Sequence, residues 1–141
     1  MGKRRQAREI SLQALYQIDI RKIKPEEVWP DICHFSSLEK DVQKFSEILV
    51  KGTFEKLPDI DSIISKNSLH WNLERMAIVD RNILRLASYE ILFCEDIPFA
   101  VSINEAIELA KTYGTEESGK FVNGILNKIK EEAEKMGVKK K

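Results

Sequence analysis

Apolar residues in this chain recur at spacings of three and four, and almost nowhere at two. Ala7, Ile10, Ala14 and Ile18 form one such stripe, with Leu15 beside it. That period belongs to a helix buried along one side, whereas a half-buried strand would alternate. Strand patterns are nearly absent from the rest of the sequence, so the expected fold class is all-α, a compact helical bundle. At 141 residues, 43% of them apolar, the chain suits one domain with one sizeable core. The apolar runs are too short to span a membrane, and the basic start lacks the apolar stretch of a secretion signal.

The stripes place the elements. A first helix is expected over about Gln6–Ile20. A short helical piece with Val28 and Trp29 lies between Pro25 and Pro30. Leu38, Val42, Phe45, Leu49 and Gly52 mark a longer helix ending near Leu57-Pro58, and Ile60, Ile63 and Ile64 a shorter one. Asn67 to Asn72 reads as a loop, with Trp71 as an anchor in the core. The segment RMAIVDRNILRLASYEILF turns Ile83, Leu84, Ala87 and Ile91 inward and ends before Pro98. In VSINEAIELAKTYG, Ser102 and Glu105 have the spacing of a capping box, and Gly114 is placed for a left-handed helix end. Thr115 is expected to cap the last helix, TEESGKFVNGILNKIKEEAEK, and the residues from about 136 to fray.

Catalytic and metal-binding patterns are missing. His34 and His70 are the only histidines; Cys33 adjoins His34, but a zinc site needs further ligands at suitable spacing, and we expect none here. No P-loop, Rossmann glycine pattern or nucleophile elbow occurs. We therefore expect no enzyme, no cofactor and no metal. Cys33 and Cys94 read as buried or half-buried thiols of a reducing, cytoplasmic protein.

Charge is the informative signal. The chain is neutral overall, yet Lys3, Arg4, Arg5 and Arg8 precede every acid, and the last seven residues hold four lysines and no acid. Residues 25–62 carry nine acids against four bases. Cations at a helix N-terminus oppose the helix dipole, at a cost of a few tenths of a kcal/mol each, roughly. A phosphate-bearing partner would reverse that cost, and Arg4 and Arg8 stand one turn apart, spaced to project together. A solvated basic flank is the plain alternative.

The last helix adds a second signal. Val122, Ile125, Leu126, Ile129 and Ala133 fall within a sector of about 100°, the core face. Phe121 lies outside it, near Lys120, Gly124 and Lys128. A ring beside a glycine gap and two lysines suits an unpaired base, the ring stacking and the lysines holding phosphate. Asn123 and Asn127 have amides able to read base edges. The alternative is that Phe121 packs at the edge of the core and the amides are ordinary surface groups.

Three strings, RRQAREISLQALYQID, VDRNILRLASYEIL and IPFAVSINEAIELAKTYGTEESGKFVNGILNKI, resemble the NusB family of bacterial transcription antitermination factors, in family order and over nearly the whole chain. The resemblance implies seven helices in two subbundles and no catalysis. It implies binding to boxA-type single-stranded RNA of ribosomal RNA leaders, together with NusE, a small-subunit ribosomal protein, within an antitermination complex on RNA polymerase. RNA contacts then map to Lys3, Arg4, Arg5, Arg8, Lys120, Phe121, Asn123, Gly124, Asn127 and Lys128. The NusE-facing surface maps to Tyr16, Glu74, Arg75, Asp80, Arg81 and Glu117. Two alternatives stay open: a self-associating helical module, homodimers being a feature of some members, and an RNA-binding part of an rRNA-modifying assembly. The latter is not expected to carry its own methyltransferase domain, because the sequence ends soon after the resembling region.

Overall fold

The computed structural model describes residues 2–32 and 34–141, so the expectation for the Cys33 thiol lies outside the described residues. Seven α-helices occur among them: α1 (Lys3–Arg21), α2 (Pro25–Val28), α3 (Lys40–Glu55), α4 (Leu57–Asn67), α5 (Ile78–Phe93), α6 (Phe99–Tyr113) and α7 (Ser118–Lys135). Short 3-10 turns span Trp29–Asp31, Phe35–Ser37 and Leu73–Arg75. Every described residue with regular structure is helical.

α5 is the hub. It packs against α1, α3, α4, α6 and α7, while α1 pairs with α3 and α6 with α7. Its position follows from its sequence: Ile83, Leu84, Leu86 and Ile91 are all but fully buried, more apolar bulk than a helix exposed along one side would carry. α3 and α5 come close enough that a Cβ at Gly52 would run into the Tyr89 ring. Gly52 is thus a contact glycine.

Several expected details differ. Trp71 is no core anchor: it is 54% exposed, because the loop after α4 carries it outward. Ser102 and Glu105 form no capping box. Pro98 starts α6 four residues earlier, so Ser102 falls inside the helix facing α5, where its hydroxyl donates to Glu90 Oε1 at 2.9 Å. Gly114 ends α6 with φ −98°, which is not left-handed. It must be glycine for space: a Cβ there would sit 2.6 Å from Ser118 Cβ and 2.8 Å from the Ala110 carbonyl oxygen. Thr115 lies in the turn before α7, and its backbone N–H donates to Ser118 Oγ at 2.9 Å, the reverse of the expected direction.

The residues after α7 are held as well. Gly137, at φ +89°, closes a Schellman motif: the Val138 N–H reaches the Ala133 carbonyl and the Gly137 N–H the Glu134 carbonyl. Val138 packs on the core. The Lys140 ammonium donates to the carbonyls of Glu90 and Cys94 at 2.9 and 2.8 Å, a second bond on each, since they already accept the N–H groups of Cys94 and Ile97. The expected fraying from about residue 136 is replaced by these contacts.

Candidate nucleic-acid interface

α1 begins without a side-chain cap and without an acid in its first turn. Lys3, Arg4 and Arg5 are exposed there, and each meets an acid from another element. Lys3 Nζ lies 2.8 Å from Glu39 and 3.4 Å from Asp41. The hydrogen bond to Glu39, aided by Asp41, raises its pKa. Arg4 lies 3.8 Å from Asp96 and stacks its guanidinium 4.2 Å from the Phe45 ring centre. Arg5 makes a two-point bond to Glu105, at 3.1 and 2.8 Å, which lowers the Glu105 pKa. These are surface pairs of small net worth, open to exchange for phosphate.

Arg8 corrects the sequence reading. It does not project with Arg4. It is 4% exposed, and its Nε and Nη2 donate to both oxygens of Glu90 at 2.9 and 3.0 Å. The geometry gives it no open face for a phosphate. One turn beyond Arg4, the helix has already passed beneath α6 and α5, and the guanidinium becomes part of the interior.

On α7, Lys120, Asn123, Gly124, Asn127 and Lys128 are exposed. Nothing approaches the Gly124 Cβ position, leaving the backbone open there. The two amides bind each other, Asn127 Nδ2 donating to Asn123 Oδ1 at 2.7 Å. Phe121 is half-buried at the core edge, its ring edge-on to Trp71 with centroids 5.8 Å apart. Phe121 thus packs at the core edge while keeping part of its ring open, and Trp71, expected inside, is the surface ring. Its signal was present: a tryptophan in a polar loop with no apolar partner at helical spacing.

Among the described residues, no hydrogen bond or ion pair joins the α1 cations to the α7 residues. α6 connects them. Arg5 is bound to Glu105 of α6, and farther along α6 Lys111 shares a shallow groove with Gly119, Lys120 and Asn123 of α7. Phe121 turns instead toward the loop after α4.

Of the six residues mapped to a protein partner, Tyr16, Glu74, Arg75 and Glu117 are exposed. Arg81 is committed to Asp19, donating to its Oδ2 at 2.9 and 2.8 Å. Asn82 and Arg85 donate to the same oxygen at 2.9 and 3.1 Å. Burial pushes the Asp19 carboxyl up, but the bonds from Asn82 and Arg81 and the charges of Arg85 and Arg81 outweigh it and hold its pKa below the usual value. Asp80 lies in the first turn of α5, where its charge complements the helix dipole, and its Oδ1 is buried without a partner. Glu117 precedes α7, and no hydrogen bond joins it to the other five.

The family model for NusB matches residues 5–131, from Arg5 of α1 through most of α7. The chain belongs to the NusB family. The transcription antitermination protein NusB of Pelotomaculum thermopropionicum is 53% identical over 131 residues, covering 93% of this chain and 91% of that relative. The fold is similar to that of T. maritima NusB, with a TM-score of 0.84 and 43% identity over 94% of this chain and 92% of that one. It is also similar to a chain in a complex of antitermination factors NusB and NusE with double-stranded RNA, with a TM-score of 0.85 and 31% identity over 94% and 98% of the two chains. No described helix is long and apolar enough to cross a membrane.

Proposed function

We propose that this protein is a cytoplasmic, non-enzymatic transcription antitermination factor. It binds boxA-type single-stranded RNA of ribosomal RNA leaders together with NusE, and helps RNA polymerase resist premature termination. Relatives at about half identity carry the antitermination name, and a structural relative is seen with NusE and RNA. The observation in this chain that carries the reading is the first turn of α1, with three exposed cations, no acid and no cap.

Lys3, Arg4 and Arg5 hold phosphates by trading their acid partners for them. Lys120 and Lys128 offer their exposed ammonium groups to phosphate beside Phe121, whose half-buried ring offers its free side to a base, with Asn123, Gly124 and Asn127 along the same edge. Arg8 has a different role: it holds α1 against α5 and so positions Arg4 and Arg5. Tyr16, Glu74, Arg75, Asp80, Arg81 and Glu117 form the proposed NusE side, with Arg81 pre-oriented by Asp19.

The test is a titration of a boxA RNA oligomer and a scrambled control, with and without NusE. Tighter, salt-dependent binding of boxA, strengthened by NusE, is the expected result. Equal affinity for the two RNAs, unaltered by NusE, overturns the reading.

A further inference from the structure

The sequence has two basic stretches, one at each end, and the fold brings them together. The meeting point is the turn between α5 and α6, where Glu95 and Asp96 stand side by side. Arg4 reaches Asp96 from α1 at 3.8 Å. Lys141 reaches Glu95 from the other end of the sequence: its Nζ lies 3.5 Å from the carboxylate, and its backbone N–H donates to the Glu95 carbonyl at 2.9 Å. Between them Lys140 binds the last carbonyls of α5 and stacks 4.9 Å from the Phe99 ring centre.

This placement is built. The left-handed Gly137 turns the chain back at the end of α7, Val138 anchors it on the core, and Lys140 fastens it to α5. The outcome is that Lys139 and Lys141 are exposed, and Lys141 is held at the turn whose next residue, Asp96, pairs with Arg4. The two acids of the turn would otherwise face Arg4 alone, and Lys141 offsets one of them. The family model stops at residue 131, so these lysines lie beyond the matched residues.

We propose that Lys139 and Lys141 form a second phosphate-binding segment, continuous with Lys3, Arg4 and Arg5, for the backbone of a single-stranded RNA. The inference rests on the RNA-binding reading above. It extends the cationic track past the α5–α6 turn, so it lengthens the RNA the protein holds without adding base recognition. Its contacts are to phosphate alone and therefore independent of base sequence.

The test compares the full chain with the double variant K139Q/K141Q, which leaves the Lys140 bonds to α5 in place. Both are titrated over a salt series with a boxA oligomer and with a version extended by several nucleotides at either end. The expected result is an unchanged melting curve, weaker binding of the extended RNA, and a log-affinity against log-salt slope shallower by about 1.4, two phosphate contacts at about 0.7 each. An unaltered slope in the variant, with Arg4→Gln still lowering it, overturns this inference and leaves the RNA reading standing. No salt-dependent RNA binding by the unaltered chain removes both. An unaltered RNA slope combined with weaker NusE binding assigns the lysines to the protein partner and likewise overturns it.

Discussion

Arg8 and Glu90 meet through two parallel hydrogen bonds, 2.9 and 3.0 Å long, with side chains only 5% and 2% exposed. The pair ties α1 to α5 directly behind the exposed Arg4 and Arg5. Ser102 of α6 donates a third bond to Glu90, so three helices are registered at one carboxylate. Removing one partner leaves the other charge buried and uncompensated. Arg8→Ala is expected to cost about 3–5 kcal/mol of stability by denaturant unfolding, far more than a surface arginine. A loss under 1 kcal/mol, roughly the worth of a surface pair, would show that Arg8 is free in solution.

Phe121 and Trp71 separate packing from recognition. Trp71 is more than half exposed, so Trp71→Ala should change the melting temperature little. Phe121→Ala should weaken boxA binding by about 1–3 kcal/mol, the worth of one stacked base. Filter binding and thermal unfolding on the same samples decide it. A large drop in melting temperature with unchanged RNA affinity would assign Phe121 to the core alone.

Gly114 tests close packing without backbone strain. Its φ of −98° suits any residue, yet an added methyl meets Ser118 Cβ and the Ala110 carbonyl. Gly114→Ala should destabilise by about 1–3 kcal/mol through overpacking. Pairing it with Ser118→Gly, which removes the opposing side chain, should recover part of the loss in thermal unfolding. No recovery would place the clash on the Ala110 carbonyl.

The Asp19 cluster predicts a pH window. The folded-state pKa of Asp19 lies below its ordinary value near 3.8, so its contribution to stability is present above about pH 4 and fades as pH falls through the folded value. Asp19→Asn should therefore lower stability at neutral pH and narrow the gap to the parent protein on acidification. Urea unfolding from pH 7 to pH 3 measures this. A gap independent of pH would exclude the carboxylate charge as its source.

Cys94 should be a sluggish thiol. Burial, with Glu90 and Asp96 nearby, pushes its pKa up to about 11. In a Cys33→Ser background, alkylation at pH 8 should run far slower than for a free cysteine and speed up steadily toward pH 11. A fast reaction at neutral pH would mean that the end of α5 opens readily.

The period of three and four specified an all-helical bundle, the family resemblance its seven helices, and local chemistry several of their limits: Pro58 at the start of α4, the stripe of α7, the break before Pro98. These readings depend on neighbours a few residues apart, which a sequence displays directly. The cationic first turn of α1 and the off-core place of Phe121 were legible for the same reason. What the sequence could not show depends on residues far apart along it. Arg8 looks like Arg4 until Glu90, 82 positions away, takes its charge. Ser102 and Glu105 look like a cap until Arg5 and Glu90 claim their side chains. Trp71 looks like core until the loop turns it outward. Arg4 and Lys141 reach neighbouring acids of one turn only because Gly137 reverses the chain onto the end of α5. A cation's function is set by the acid or the solvent it faces, and only the packed arrangement of helices decides which.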